Sequence, residues 1–144
     1  MKLAPCIERA KLKAPSFKIV EKAANLEAVL KQPPPVDAVY LMPLSERTDG
    51  RGNTAVGATI QEVTEVFGAM IVSRHAGGRK GGEAAEGLDE LKDELNAAFV
   101  GWTHPEGRGP TLYLGGALRG FEGSAAFWLS TFSVKTQIRI LGGS

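Results

Sequence analysis

Residues 128–140 constrain the fold of this chain more than any other stretch. The even positions Trp128, Phe132, Val134, Ile138 and Ile140 are apolar, and the odd positions Thr131, Ser133, Lys135, Gln137 and Arg139 are polar. Alternation of this length predicts a strand with one buried face. Glu122-Gly123-Ser124 supplies a turn before it, and residues 111–121 serve as the partner strand. The chain therefore closes on a long β-hairpin, and in a small protein with no catalytic signature such a hairpin points toward binding or assembly.

The remaining elements follow from helical spacing and from punctuation. Pro5 suits the first turn of a helix, and Leu3, Ile7, Ala10 and Ala14 keep one face until Pro15 ends it. Phe17 to Val20 reads as a short edge strand. Ala23, Leu26, Val29 and Leu30 fit a second short helix, which Pro33-Pro34-Pro35 terminates. Asp37 to Leu44 is apolar on both faces, the pattern of an interior strand covered on both sides. Residues 45–57 hold Ser45, Thr48, Asp49, Gly50, Gly52, Asn53 and Gly57 and are expected to form a loop. Thr59 to His75 is rich in β-branched residues and reads as one long strand, or two with a bend at Gly68.

After a glycine-rich loop at 76–82, the residues Leu88, Leu91, Leu95, Ala98, Phe99 and Trp102 keep one helical stripe, with acidic side chains in the first turns. The expected fold is α+β in a single domain spanning 1–144. It is a mostly antiparallel sheet of about four to five strands with helices packed on it, ending in the C-terminal hairpin. At 144 residues the chain is long enough to bury a real core. No apolar run approaches the roughly 20 residues of a membrane span, so a cytosolic, non-membrane protein is the expectation.

Charge narrows the function. The net charge is +1, which gives no overall footprint for nucleic acid. Locally, residues 1–22 carry six basic and two acidic side chains, giving +4. Residues 83–94 carry six acidic side chains and one lysine, giving −5. The two segments read either as solvated helix faces or as complementary surfaces that meet between copies of the chain. Arg47, Arg51, Arg74, Arg79 and Lys80 lie in or beside the two long loops. If those loops share one side of the fold, the five form a basic rim facing DNA or an acidic partner. Glu86, Asp89, Glu90 and Asp93 form the acidic counterpart on the helix.

Catalytic and metal chemistry finds little support. Gly77-Gly78-Arg79-Lys80-Gly81-Gly82 has phosphate-loop composition but lacks the Ser or Thr hydroxyl after its lysine. His75 and His104 have no nucleophile at a recognisable spacing and read as surface histidines. Cys6 is the only cysteine and reads as a small buried apolar residue, which excludes an intrachain disulfide. With two histidines and no Cys-x-x-Cys or His-x-x-x-His spacing, no metal site is expected.

Larger patterns carry a resemblance. Ala38-Val39-Tyr40-Leu41-Met42-Pro43-Leu44-Ser45-Glu46, a loop, and then Val63-Thr64-Glu65-Val66-Phe67-Gly68-Ala69-Met70-Ile71-Val72 resemble the central part of tail terminator (tail completion) proteins of long-tailed bacteriophages. The segment 88–95, Gly101-Trp102, the stretch 114–118 and the aromatics Phe121, Trp128 and Phe132 continue the resemblance, so it spans 37–140. It implies an α+β, non-enzymatic virion protein without a cofactor. Such a protein assembles in the host cytoplasm as a homo-oligomeric ring, a hexamer, at the head-proximal end of the tail. Its implied partners are copies of itself, the tail tube protein and a head-completion or connector protein. Genome DNA passes through the lumen without sequence-specific binding. Three other readings stay open: another neck or head-completion component, an enzyme of unrecognised type using His104 or His75, and a small nucleic-acid-binding module.

Overall fold

A computed structural model describes residues 1–24, 26–55, 57–74 and 82–142. Helix α1 (Ala4–Lys13) opens the chain, followed by β1 (Ile19–Lys22) and α2 (Leu26–Lys31). The strands β2 (Ala38–Arg47), β3 (Asn53–Ala55) and β4 (Ala58–Arg74) come next, then α3 (Gly82–Phe99). The hairpin β5 (Leu112–Glu122) and β6 (Ala125–Leu141) closes it. The six strands make one mixed sheet in the order β1-β2-β4-β6-β5, with β3 also paired to β4. Only the β1–β2 pairing is parallel. The α+β architecture and the C-terminal hairpin agree with the expectation from sequence.

β4 and β6 are the spine of the molecule. They pair antiparallel without a register break from Ala58 opposite Leu141 to Arg74 opposite Ala125. Gly68 does not divide β4. A Cβ there would lie 3.0 Å from both Leu44 Cδ1 and Leu129 Cδ1, so glycine leaves room for leucines packed across that face.

Each face of the sheet has its own core. On one face α1 and α3 cover Val39, Leu41, Phe67, Ala69, Ile71, Phe132 and Val134. Phe67, Phe99 and Phe132 meet with centroids 5.2–5.5 Å apart. Two of these contacts are edge-on, the geometry that ring quadrupoles favour. The helical stripe 88–99 is buried as its spacing predicts: Leu95, Ala98 and Phe99 are 0% exposed. On the opposite face the short α2 supplies Val29 to Ala38, Met42, Met70, Val72 and Phe127. Two-sided covering explains why Ala38 to Met42 lacks the alternation of a half-buried strand.

Three expectations are corrected. Residues 45–57 are not one long loop: β2 continues to Arg47 and β3 forms at Asn53–Ala55, leaving a tight connection at 48–52. There Arg51 N–H donates to Asp49 Oδ1 and Gly50 N–H to Thr48 Oγ1, the local bonding that turn residues provide. The segment escaped sequence reading because it pairs outside the core, where no side chain need be apolar. The alternation of 128–140 is buried only to Thr136. Ile138 and Ile140 are 42% and 59% exposed, because neither α1 nor α3 reaches that end of β6.

His104 is not a surface histidine. It is 1% exposed, its Nδ1 accepts Glu106 N–H at 2.9 Å, and Nε2 lies 2.8 Å from Lys2 O. With Nδ1 accepting, the proton sits on Nε2 and donates to Lys2, so the imidazole clips the N-terminal segment to the 103–110 loop. His75 lies outside the described residues.

Candidate assembly surfaces

The stepped edge of the sheet is the first surface. β5 is the outermost strand and pairs with β6 only as far as Leu112 opposite Ser133. Beyond that point β6 runs on beside β4 as a projecting arm, which ends where Gly142 N–H bonds Gly57 O. Arg108 N–H donates to Lys135 O at 2.7 Å, so the backbone of odd-numbered β6 residues faces the open side here. By alternation Gln137 and Arg139 also turn their backbone groups outward, and no described residue pairs with them. Along this edge Leu112, Leu114, Leu118 and Phe121 on β5 are 49–65% exposed, and Leu141 at the arm tip is 73% exposed. A row of large apolar side chains on an unpaired sheet edge is a marker of an interaction surface.

β5 itself is shaped by two register shifts, between Tyr113 and Gly115 and between Leu118 and Gly120. Gly115 and Gly120 sit at φ of +129° and +142°, which side chains rarely adopt. Gly116 answers a different demand. The Trp128 ring lies across it, and a Cβ would fall 2.5 Å from Trp128 Nε1. Trp128 in turn donates to Ser130 Oγ at 3.0 Å and carries Lys92 Nζ 3.8 Å above its ring.

The charged residues singled out from sequence separate into two groups. Arg47 ends β2 and Arg51 lies in the 48–52 connection, both exposed at the end of the sheet from which the arm projects. They sit near a shallow cleft formed by Arg47, Thr48, Asp49, Glu62, Thr64 and Lys135, where Lys135 and Glu62 pair at 3.4 Å. Arg74 is at the other end of β4. Arg47 is opposite Thr64, so ten residues of strand, about 33 Å, separate the two. Arg47 therefore cannot share a basic rim with Arg74. Arg79 and Lys80 lie outside the described residues.

Arg74 is instead brought together with Glu90. Both line a polar cleft of about 420 Å³ with Ser16, Asp37, Ser73 and Glu94. Asp37 Oδ1 accepts Arg74 N–H at 2.7 Å, and Ser16 donates both its N–H and its hydroxyl to Glu94. Glu86, Asp89 and Asp93 are exposed along α3, with Asp89 3.5 Å from Lys92.

The basic N-terminal segment and the acidic helix are already neighbours within one chain. α1 packs beside α3, and Arg9 Nε donates to Ala98 O at the C-terminal end of α3, where the helix dipole favours a cation. Met1 contributes another tie. Its ammonium lies 2.8 Å from Glu65 Oε1, Thr136 donates to Glu65 Oε2, and the carboxylate holds the amine pKa above 8.0. Lys2 N–H donates to Glu106 at 2.8 Å and, with nearby positive charge, keeps that carboxyl below its usual range. Among the described residues no group of three or more His, Cys, Asp or Glu side chains is disposed to hold a metal ion.

Residues 1–142 of the chain match the family of phage tail terminator proteins. The chain belongs to that family. It is accordingly a structural tail component of a phage virion. None of the curated proteins matches it. Among solved structures it is similar to a chain described as the virion of a native gene transfer agent particle, at 15% identity and a TM-score of 0.46. That alignment covers 90% of this chain and 84% of the other. What sequence reasoning missed is the projecting arm and the β5 bulges. Gly115-Gly116 and Gly120 were their only local signal.

Proposed function

We propose that the chain assembles as a closed ring of six copies on the head-facing end of the completed tail tube. The ring ends tube polymerisation and offers its other face to the head-completion or connector protein. Genome DNA crosses the lumen without being read. The observation that carries this reading is the sheet edge of a family member. It is lined by Leu112, Leu114, Leu118, Phe121, Ile138, Ile140 and Leu141, which a lone soluble copy leaves in water. Contacts between unlike patches of identical chains generate rings when the rotation closes. Most of the large exposed apolar side chains lie on this edge, which supports a role in assembly.

The test is electron microscopy of lysates from a phage in which this gene is disrupted. Overlong or ragged tails beside unattached, DNA-filled heads are expected. Tails of normal fixed length with heads that leak DNA would move the protein to another part of the neck. Intact infectious particles would overturn the assembly reading and reopen an enzymatic one.

A further inference from the structure

We propose that the polar cleft between α3 and the end of β4 binds a primary alkylammonium group, carried by a lysine side chain of an adjoining protein or by a free polyamine. The site is separate from the exposed sheet edge and stands independently of the ring reading above.

The cleft, about 420 Å³, joins a buried floor to a charged rim. Ser73 belongs to the floor. It lies two residues beyond Ile71 on β4, so its side chain turns to the α3 face of the sheet, and it is 2% exposed. Its hydroxyl bonds no described residue. Buried hydroxyls ordinarily have a partner, so an unpaired one lining a cleft points to a ligand atom. Leu91, also buried, supplies an apolar wall, and Gly87 one turn earlier carries no side chain to close the cleft. The rim sets the carboxylates of Asp37, Glu90 and Glu94 against the single cation of Arg74. Glu90 and Glu94 stand one turn apart on the same flank of α3, where like charges repel. Among the described residues no lysine or arginine forms an ion pair with any of the three. Lys13 and Lys18, close to Ser16 in sequence, stay exposed instead.

Charge and geometry select the ligand. The excess of carboxylates repels an anion and attracts a cation. A single metal ion does not fit, because no three acidic side chains among the described residues are disposed around one point. A guanidinium binds best to a carboxylate with both oxygens free for its fork. Glu94 turns Oε1 to the Ser16 hydroxyl and Oε2 to the Ser16 N–H, and Asp37 turns Oδ1 to the Arg74 N–H. What remains is a set of separate acceptors: the Ser73 hydroxyl, the second oxygen of Asp37 and the Glu90 carboxylate. An ammonium directs three donors in different directions and suits that set. Its methylene stem has the Leu91 wall to lie against.

The test is isothermal titration calorimetry of the full chain with putrescine and, separately, with a blocked tripeptide whose central residue is lysine. Butanol is the uncharged control. One saturable site per chain is expected for an amine and none for the alcohol. Ser73→Ala and Glu90→Gln are each expected to weaken binding by about tenfold. Glu86→Gln removes the same charge from α3 outside the cleft and is expected to change affinity by less than about twofold. Binding of the peptide, with or without putrescine, assigns the ammonium to a partner's lysine, and binding of putrescine alone assigns it to a polyamine. No saturable binding of either amine up to about 10 mM would overturn the site. So would an unchanged affinity in Ser73→Ala. Equal losses in Glu86→Gln and Glu90→Gln would also overturn it, since they mark unspecific attraction to an acidic helix. Circular dichroism of each variant checks that the fold is retained.

Discussion

Gly116→Ala is the most direct test of how the β5–β6 hairpin is built. The added methyl would sit 2.5 Å from Trp128 Nε1, 2.8 Å from Trp128 Cε2 and 2.8 Å from Leu129 O. Ordinary contacts begin near ~3.5 Å, so the ring must retreat by about 1 Å. That movement strains the 3.0 Å bond from Nε1 to Ser130 and draws the ring away from Lys92. Overpacking together with those weakened contacts costs about 3 kcal/mol. The lower entropy of alanine in the unfolded chain returns about 0.7 kcal/mol. The net loss is about 2 kcal/mol, equivalent to a Tm lower by about 7 °C for a chain of this size. Guanidinium unfolding followed by circular dichroism measures it, with the slope m unchanged. In a Trp128→Ala background both ring contacts are gone while the Leu129 carbonyl contact stays, so the same substitution should cost about 1 kcal/mol. A loss under about 0.5 kcal/mol in the native background would refute the close approach of ring and strand.

Other consequences follow from the core and from the titrating groups. Phe132→Ala removes the ring shared by Phe67, Phe99 and Tyr113 and should cost about 3–5 kcal/mol in the same unfolding assay. Burial pushes the Cys6 thiol up to about 12, so a thiol reagent at pH 8 should label the chain only once denaturant unfolds it. The Glu106 carboxyl is held below 4.5 in the folded state, chiefly by the Lys2 N–H, and its contribution is therefore present above 4.5 and lost as pH falls through the lower folded value. Glu106→Gln should flatten stability against pH in that acid window and leave it unchanged in slope near neutrality. His104→Phe removes the acceptor for Glu106 N–H and the donor to Lys2 O, and should lower stability by about 2 kcal/mol, read as a shift in the denaturation midpoint.

The sequence by itself determined the elements and their buried faces wherever apolar spacing met a covering layer. Leu88, Leu91, Leu95, Ala98 and Phe99 mark α3 because a helix buries one stripe. Ala38 to Met42 marks an interior strand because both faces are covered. Pro5 and Pro33-Pro34-Pro35 fixed where helices begin and stop, since proline lacks the N–H a helix interior requires. Tertiary structure alone decided the rest. Period-two alternation orients a side chain but does not say what lies above it, so Phe132 and Ile140 look alike in sequence and differ completely in burial. His104 became a buried clip because residues 102 positions apart meet, which no local pattern encodes. The charged residues were visible one by one, but their grouping was not. The length of β4 set Arg47 and Arg74 far apart, and the packing of α1 beside α3 brought Arg9 to the Ala98 carbonyl within the chain. The covering helices end short of Ile138 and Ile140, which leaves that end of β6 apolar and exposed.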